Sequence, residues 1–231
     1  MMLRQICLEG QSIDCRVKRS RRKTVGLSIT HQGLQINAPR EFSDIAIDEL
    51  VQSKSDWILN KLAVWGNKTS LDPFGSQNDS AEYLLFGQVW KPKIDAIGRI
   101  QMVRDDTHAT KQSEHRDLSE SARKWIMNWY RQHAEKYFNA RIAFYADELN
   151  IPKPSFKLSR ARTRWGSCNN RGVIRLNWRL VQLPVHLIDY VIVHELCHLI
   201  EMNHSRNFWA LVAGIYPNYR QAQGGLSRYC L

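Results

Sequence analysis

The chain of 231 residues is 43% hydrophobic and 24% charged, with 33 Lys and Arg against 22 Asp and Glu and a net charge of +11. That composition excludes a disordered or low-complexity chain and leaves length for one large globular domain or two small ones. The five cysteines are scattered without a Cys-x-x-Cys pair, which argues against a disulfide framework or a cysteine zinc ribbon. The most apolar stretch, residues 180–193, is short and broken by Asp189, and the first residues lack the apolar run of a signal peptide, so the expectation is a cytoplasmic protein without a membrane span.

Charge is distributed in blocks. Residues 1–40 carry eight Lys and Arg against two acids, residues 41–150 carry fourteen against seventeen, and residues 151–188 carry eight and no acid. The basic segments 16–23 and 153–179 could neutralise phosphates, so nucleic acid is a candidate partner beside an acidic protein. A solvated, solubilising surface would produce the same pattern.

In chain order, alternation of Val25, Leu27 and Ile29 and then Leu34 and Ile36 predicts a hairpin over 24–38, turning at His31-Gln32-Gly33. An apolar stripe of Ile47, Leu50, Val51, Trp57, Ile58, Leu62 and Val64 predicts one helix over 44–64, and residues 66–80 read as a linker. A second hairpin is expected at Gly87. Polar residues 105–117 then separate this half from a long buried helix starting near Ser119, with His133 a core histidine on its stripe. The resulting organisation is a basic, β-rich N-terminal region with one helix over 1–112 and a second domain over 113–231. Within the latter, residues 172–180 read as a strand with Ile174, Leu176, Trp178 and Leu180 on one face and Arg175, Asn177 and Arg179 on the other.

The chemistry concentrates at His194-Glu195-Leu196-Cys197-His198, with a further histidine at His204. Histidines four residues apart on a helix share one face and can reach one metal ion, while the intervening Glu195 can meet metal-bound water as a general base. Burying such a set in the apolar run 187–193 would be costly without a metal. No Asp or Glu lies between residue 202 and the C-terminus, so the third ligand is sought at His204, with Glu201 a weaker alternative. A continuing helix would turn His204 away. The helix should therefore stop, with Asn203 suited to a left-handed turn and Ser205 to the N-cap of a following helix that buries Phe208, Trp209, Val212 and Ile215. Cys197 points off the ligand face and reads as a small core residue.

Residues Arg164-Trp165-Gly166-Ser167-Cys168, Ile174-Arg175-Leu176-Asn177-Trp178, Tyr190-Val191, the His194–His198 motif and Asn203-His204-Ser205 with Phe208-Trp209 together resemble the YgjP-like metal-dependent hydrolases, which look like distant relatives of SprT-type and WLM-type zinc proteases. The resemblance implies an α+β, zincin-like core of backing helix, small sheet and motif helix. It also implies one catalytic Zn²⁺ held by His194, His198 and His204, with Glu195 as acid/base. The expected activity is hydrolysis of peptide bonds. Two other readings stay open: a nucleic-acid-associated protein, acting on DNA-bound proteins or only binding, and hydrolysis of a small amide. Tyr190, Arg206, Tyr216 and Tyr219 are candidates to stabilise the oxyanion.

Overall fold

The computed structural model describes residues 2–30, 33–74, 82–105 and 118–231. The turn at His31 and Gln32, residues 75–80 of the expected linker, residues 106–117 of the polar separator and the expected boundary at 112/113 lie outside the described residues. Contacts divide the chain into a unit of residues 1–69 with Cys230 and a unit of residues 70–229 with Leu231. Among the described residues the fold is mixed α/β, with six α-helices and several small sheets, and no helix is long and apolar enough to cross a membrane.

In the first unit, strands β1 (Met2–Leu8), β2 (Gln11–Ser20), β3 (Gly26–Thr30) and β4 (Gly33–Pro39) form one sheet in the order β1-β2-β4-β3. The predicted hairpin is β3–β4, pairing Leu27 with Ile36 and Ile29 with Leu34. Sequence reading missed β1 and β2, although Ile6 and Leu8, then Cys15 and Val17, alternate into the core. Their turn at Glu9-Gly10 is left-handed at both residues (φ 47° and 82°), which suits the twist of a tight hairpin.

The single helix expected over 44–64 is two helices, α1 (Asp44–Gln52) and α2 (Ser55–Gly66). Ser53 ends α1, its hydroxyl donating to the Leu50 carbonyl at 2.8 Å, and Lys54 at φ −120° leaves helical geometry. The break lets Ile47 and Val51 of α1 and Ile58 of α2 reach the same core, while Trp57 and Val64 of the predicted stripe stay exposed. Part of the first basic block has a structural task here. Arg19 pairs with Asp44 at 2.5 Å, and its guanidinium also donates to the Phe42 carbonyl, fastening β2 to the start of α1.

The second unit is organised around α3 (Glu120–Glu148), capped by Ser119, whose hydroxyl accepts from the Ala122 amide at 3.2 Å. Ile126, Tyr130, Ala134, Phe138 and Ile142 recur every fourth residue along its buried stripe. The expected second hairpin comprises Tyr83–Leu85 and Gln88–Ile94, joined on its other side by Ile100–Arg104. Its turn places Gly87 at φ 76°, and a Cβ there would lie 3.0 Å from Pro184, so only glycine fits.

The small sheet runs Gly166–Cys168, Ile174–Asn177, Phe156–Ser159, antiparallel then parallel. The strand expected over 172–180 ends at Asn177, and Trp178–Gln182 is a 3₁₀ helix. Asn177 causes the change. Instead of lying on an available face it is fully buried, its Oδ1 accepting from the Arg179 amide at 3.0 Å to start the 3₁₀ turn. Its Nδ2 donates to the Ala161 carbonyl at 2.6 Å and the Arg164 carbonyl at 3.4 Å, which sets the loop leading into Gly166.

Helix α4 (Val185–Cys197) is buried along almost its whole length and is followed by α5 (Arg206–Ile215) and α6 (Tyr219–Leu226). Asp189 anchors α4 to α3. Its carboxylate accepts from Arg141 at 3.0 and 2.8 Å, from the Tyr137 hydroxyl at 3.1 Å and from the Tyr145 hydroxyl at 3.2 Å. Burial and this carboxylate raise the Tyr137 pKa and push that of Tyr145 up to about 12.

Candidate metal centre and active site

His194 and His198 stand one turn apart at the end of α4, their ring centroids separated by 4.9 Å. The chain then leaves the helix as required, but not through Asn203. Amides of Leu199, Ile200 and Glu201 turn back onto the Leu196 and Cys197 carbonyls at 2.9–3.1 Å, and Asn203 is not left-handed, so the early turn makes such a stop unnecessary. Ser205 caps α5 as predicted, accepting from the Phe208 amide at 3.3 Å. Its neighbour His204 is thereby returned to the other two histidines.

The three histidines each offer a ring nitrogen within 4.8 Å of the others, and the Nε2 atoms of His194 and His204 are 3.1 Å apart. Ligands at about 2.0–2.1 Å from a tetrahedral zinc have N···N edges of about 3.3–3.4 Å, so this spacing suits two nitrogens on a common ion. His198 Nδ1 lies 3.1 Å from the Glu201 carbonyl, an arrangement in which Nδ1–H donates and Nε2 keeps a lone pair that could bind a metal. Glu201 thus contributes through its backbone, and its carboxylate is not in the cluster. His194 Nδ1 is buried with no hydrogen-bond partner among the described residues.

Aromatic packing holds the rings. Phe208 stacks on His198 at 4.5 Å and Trp209 on His204 at 5.7 Å, both from α5. Burial, with His198 and His204 adding to it, pushes the His194 pKa down to about 4, and burial also lowers that of His198. Both rings are thus held in the neutral form that a metal ligand needs.

Glu195 is 6% exposed, and its burial outweighs the opposing Arg164 charge to push its pKa up to about 7. Strand Gly166–Cys168 lies directly against it. A Cβ on Gly166 would sit 2.5 Å from Glu195 Oε1, so glycine is what lets the strand approach the carboxylate. Burial, then the Glu195 charge, raises the Cys168 thiol pKa. Cys197 is a core residue with its thiol pushed up to about 12, and His133 Nδ1 is satisfied at 2.8 Å by the Trp129 carbonyl.

Of the candidate oxyanion groups, the Tyr190 ring lies 6.0 Å from His194, one helical turn earlier on its face. Tyr216 is engaged elsewhere, its hydroxyl donating to the His186 carbonyl at 2.8 Å. Sequence reading passed over Asp189, Gly166 and Asn177 as parts of the frame. A lone acid within the run 187–193 was the available signal, since such a group must find partners when buried.

The model of the YgjP-like metallopeptidase domain matches residues 23–229. The chain belongs to the YgjP-like metallopeptidase family. It is accordingly a metal-dependent peptidase, an enzyme whose substrates are peptides or proteins. No curated protein matches the chain. Among solved structures it is similar to the metallopeptidase zymogen abylysin of Pyrococcus abyssi at 20% identity, over 41% of this chain and 99% of that one. The TM-score of 0.37 makes this a distant likeness from which nothing is carried over.

Proposed function

We propose that this YgjP-like metallopeptidase is a zinc enzyme with a zincin-like core, in which His194, His198 and His204 hold one Zn²⁺ and Glu195 is the general base. The observation that carries the reading is the approach of His204 Nε2 to His194 Nε2 at 3.1 Å, from a separate element, with the Glu195 carboxylate buried beside them. Zinc so bound would acidify a water and polarise the scissile carbonyl. Glu195 takes the proton from the attacking water at its carboxylate and returns it to the departing amine. Gly166 and Arg164 set the position and charge environment of that carboxylate.

Substrate binding is proposed at Gly166–Cys168, an edge strand of its sheet. An extended peptide pairing with that edge would pass beside Glu195. Cytoplasmic residence fits the five free cysteines, three of them buried. A second reading, in which the protein works on or with nucleic acid, is favoured by the arginines of the second basic block that line a common groove.

The test is cleavage of an unfolded protein by the zinc-loaded chain beside Glu195→Gln. The variant should retain stoichiometric zinc and lose about 10²–10⁴-fold in kcat. Equal rates from the two proteins would remove Glu195 from the mechanism.

A further inference from the structure

The second unit contains a groove of about 790 Å³ that the peptidase chemistry does not use. One wall is the start of α3, contributing Arg123, Lys124 and Arg131, and the other comprises Arg160, Arg162 and Arg179. Arg123 is engaged, its guanidinium over the Phe74 ring at 5.5 Å, and beside the other five cations the described lining holds two carboxylates, Asp72 and Glu120. Glu120 is already shared with Lys124 at 3.7 Å, a pair exposed on both sides. Among the described lining residues cations thus outnumber carboxylates on a concave surface, where field lines concentrate.

Arg179 shows that this charge is incompletely answered. Its guanidinium lies over the Trp178 ring at 4.6 Å, and its Nε is buried with no hydrogen-bond partner among the described residues. Burial lowers its pKa, with Asp72 opposing and Arg162 adding to the effect. An anion in the groove would relieve both the missing hydrogen bond and the like charge.

The shape points to an extended anion. Lys124 and Arg131 stand seven residues apart on the helix, about 10 Å at 1.5 Å per residue. One strand of a duplex places a phosphate about every 3.4 Å along its axis, so this stripe can face several phosphates. The volume lies within the range of about 300–1,000 Å³ typical of ligand sites, enough for a few nucleotides of one strand and too little for a double helix.

We infer that the groove between the N-terminal half of α3 and residues 160–162 with Arg179 binds the phosphodiester backbone of single-stranded nucleic acid. This deepens the second reading above and does not depend on proteolysis. Residues 160–162 continue through Arg164 to Gly166, so the bound strand would lie on the same loop that positions Glu195.

The experiment is fluorescence anisotropy of a labelled single-stranded oligonucleotide of about 15 nucleotides, titrated with the full chain across a salt series. Two doubly substituted proteins are compared, Arg131→Gln/Arg162→Gln in the groove and Arg21→Gln/Lys23→Gln in the first basic block, all four positions being exposed. The groove pair should weaken binding by about tenfold or more and reduce the log–log salt slope by about 1.4, two contacts at about 0.7 each. The control pair should change neither. Absence of saturable binding, equal losses from both pairs, preference for duplex, or full displacement by polyglutamate at equal charge would each overturn the assignment. Cleavage of an unfolded protein by the same preparations tests the peptidase reading separately.

Discussion

The two units solve the burial problem differently. In the first, the described core is wholly apolar, from Leu8 and Cys15 through Leu34, Ile36, Ile47 and Val51 to Ile58. In the second, five polar or charged residues are also buried among those described: Asn177, Gln182, Asp189, Glu195 and His198. Each such group costs stability unless it finds partners, so their confinement to one unit marks where specific geometry is worth more than an oily interior. Glu195 and His198 belong to the proposed reacting centre. The other three hold its frame: Asp189 ties α4 to α3, Asn177 sets the 160–166 loop, and Gln182 donates to the Leu71 carbonyl at 2.9 Å.

Substitutions can break or sharpen this contrast. The largest stability effect is expected from Asp189→Leu, which leaves Arg141 and two tyrosine hydroxyls without their acceptor and should cost about 3–5 kcal/mol in denaturant unfolding. A loss under 1 kcal/mol would show that the network does not anchor α4. In the first unit, Ile36→Ala should cost about 2–5 kcal/mol through its cavity alone. It should leave kcat per folded molecule unchanged, and a matching fall in kcat would erase the distinction between the units.

Asn177→Ala should cost less, about 1–3 kcal/mol, because it leaves two carbonyls and one amide unpaired rather than a charge. Here activity should fall further than stability accounts for, since the loop reaching Gly166 loses its clamp; a rate unchanged at full folding would argue for a purely structural asparagine. The smallest effect is at alkaline pH. Tyr145 has a folded pKa near 12 against 10 unfolded, so its contribution is complete below pH 10 and fades as pH rises through 12. Absorbance titration of tyrosinate should show several late-ionising residues, Tyr130 and Tyr137 among them, and one fewer in Tyr145→Phe.

Much of the candidate site was legible because the spacing of His194, Glu195 and His198 is a local property of one helix. Elimination of downstream acids brought His204 into consideration, and Ser205 announced the helix that returns it. The N-terminal hairpin and the helix from Ser119 followed from alternation and periodicity in the same way. Less was visible where two signals overlap. The apolar stripe over 44–64 continues across Ser53-Lys54 because both helices face one core, so periodicity alone could not show the break. Alternation over 174–180 likewise survives the change from strand to 3₁₀ turn.

By itself the sequence determined the family, the three histidines and glutamate of the candidate centre, the main hairpins and the long helix, all of which rest on spacing within one or two elements. Tertiary structure decided that Gly166 must lack a side chain, that Asp189 is an anchor, that Arg19 is spent on an ion pair and that Arg131, Arg162 and Arg179 share one groove. Those outcomes depend on which distant segments meet. A pattern in one segment carries no record of the surface that will be packed against it.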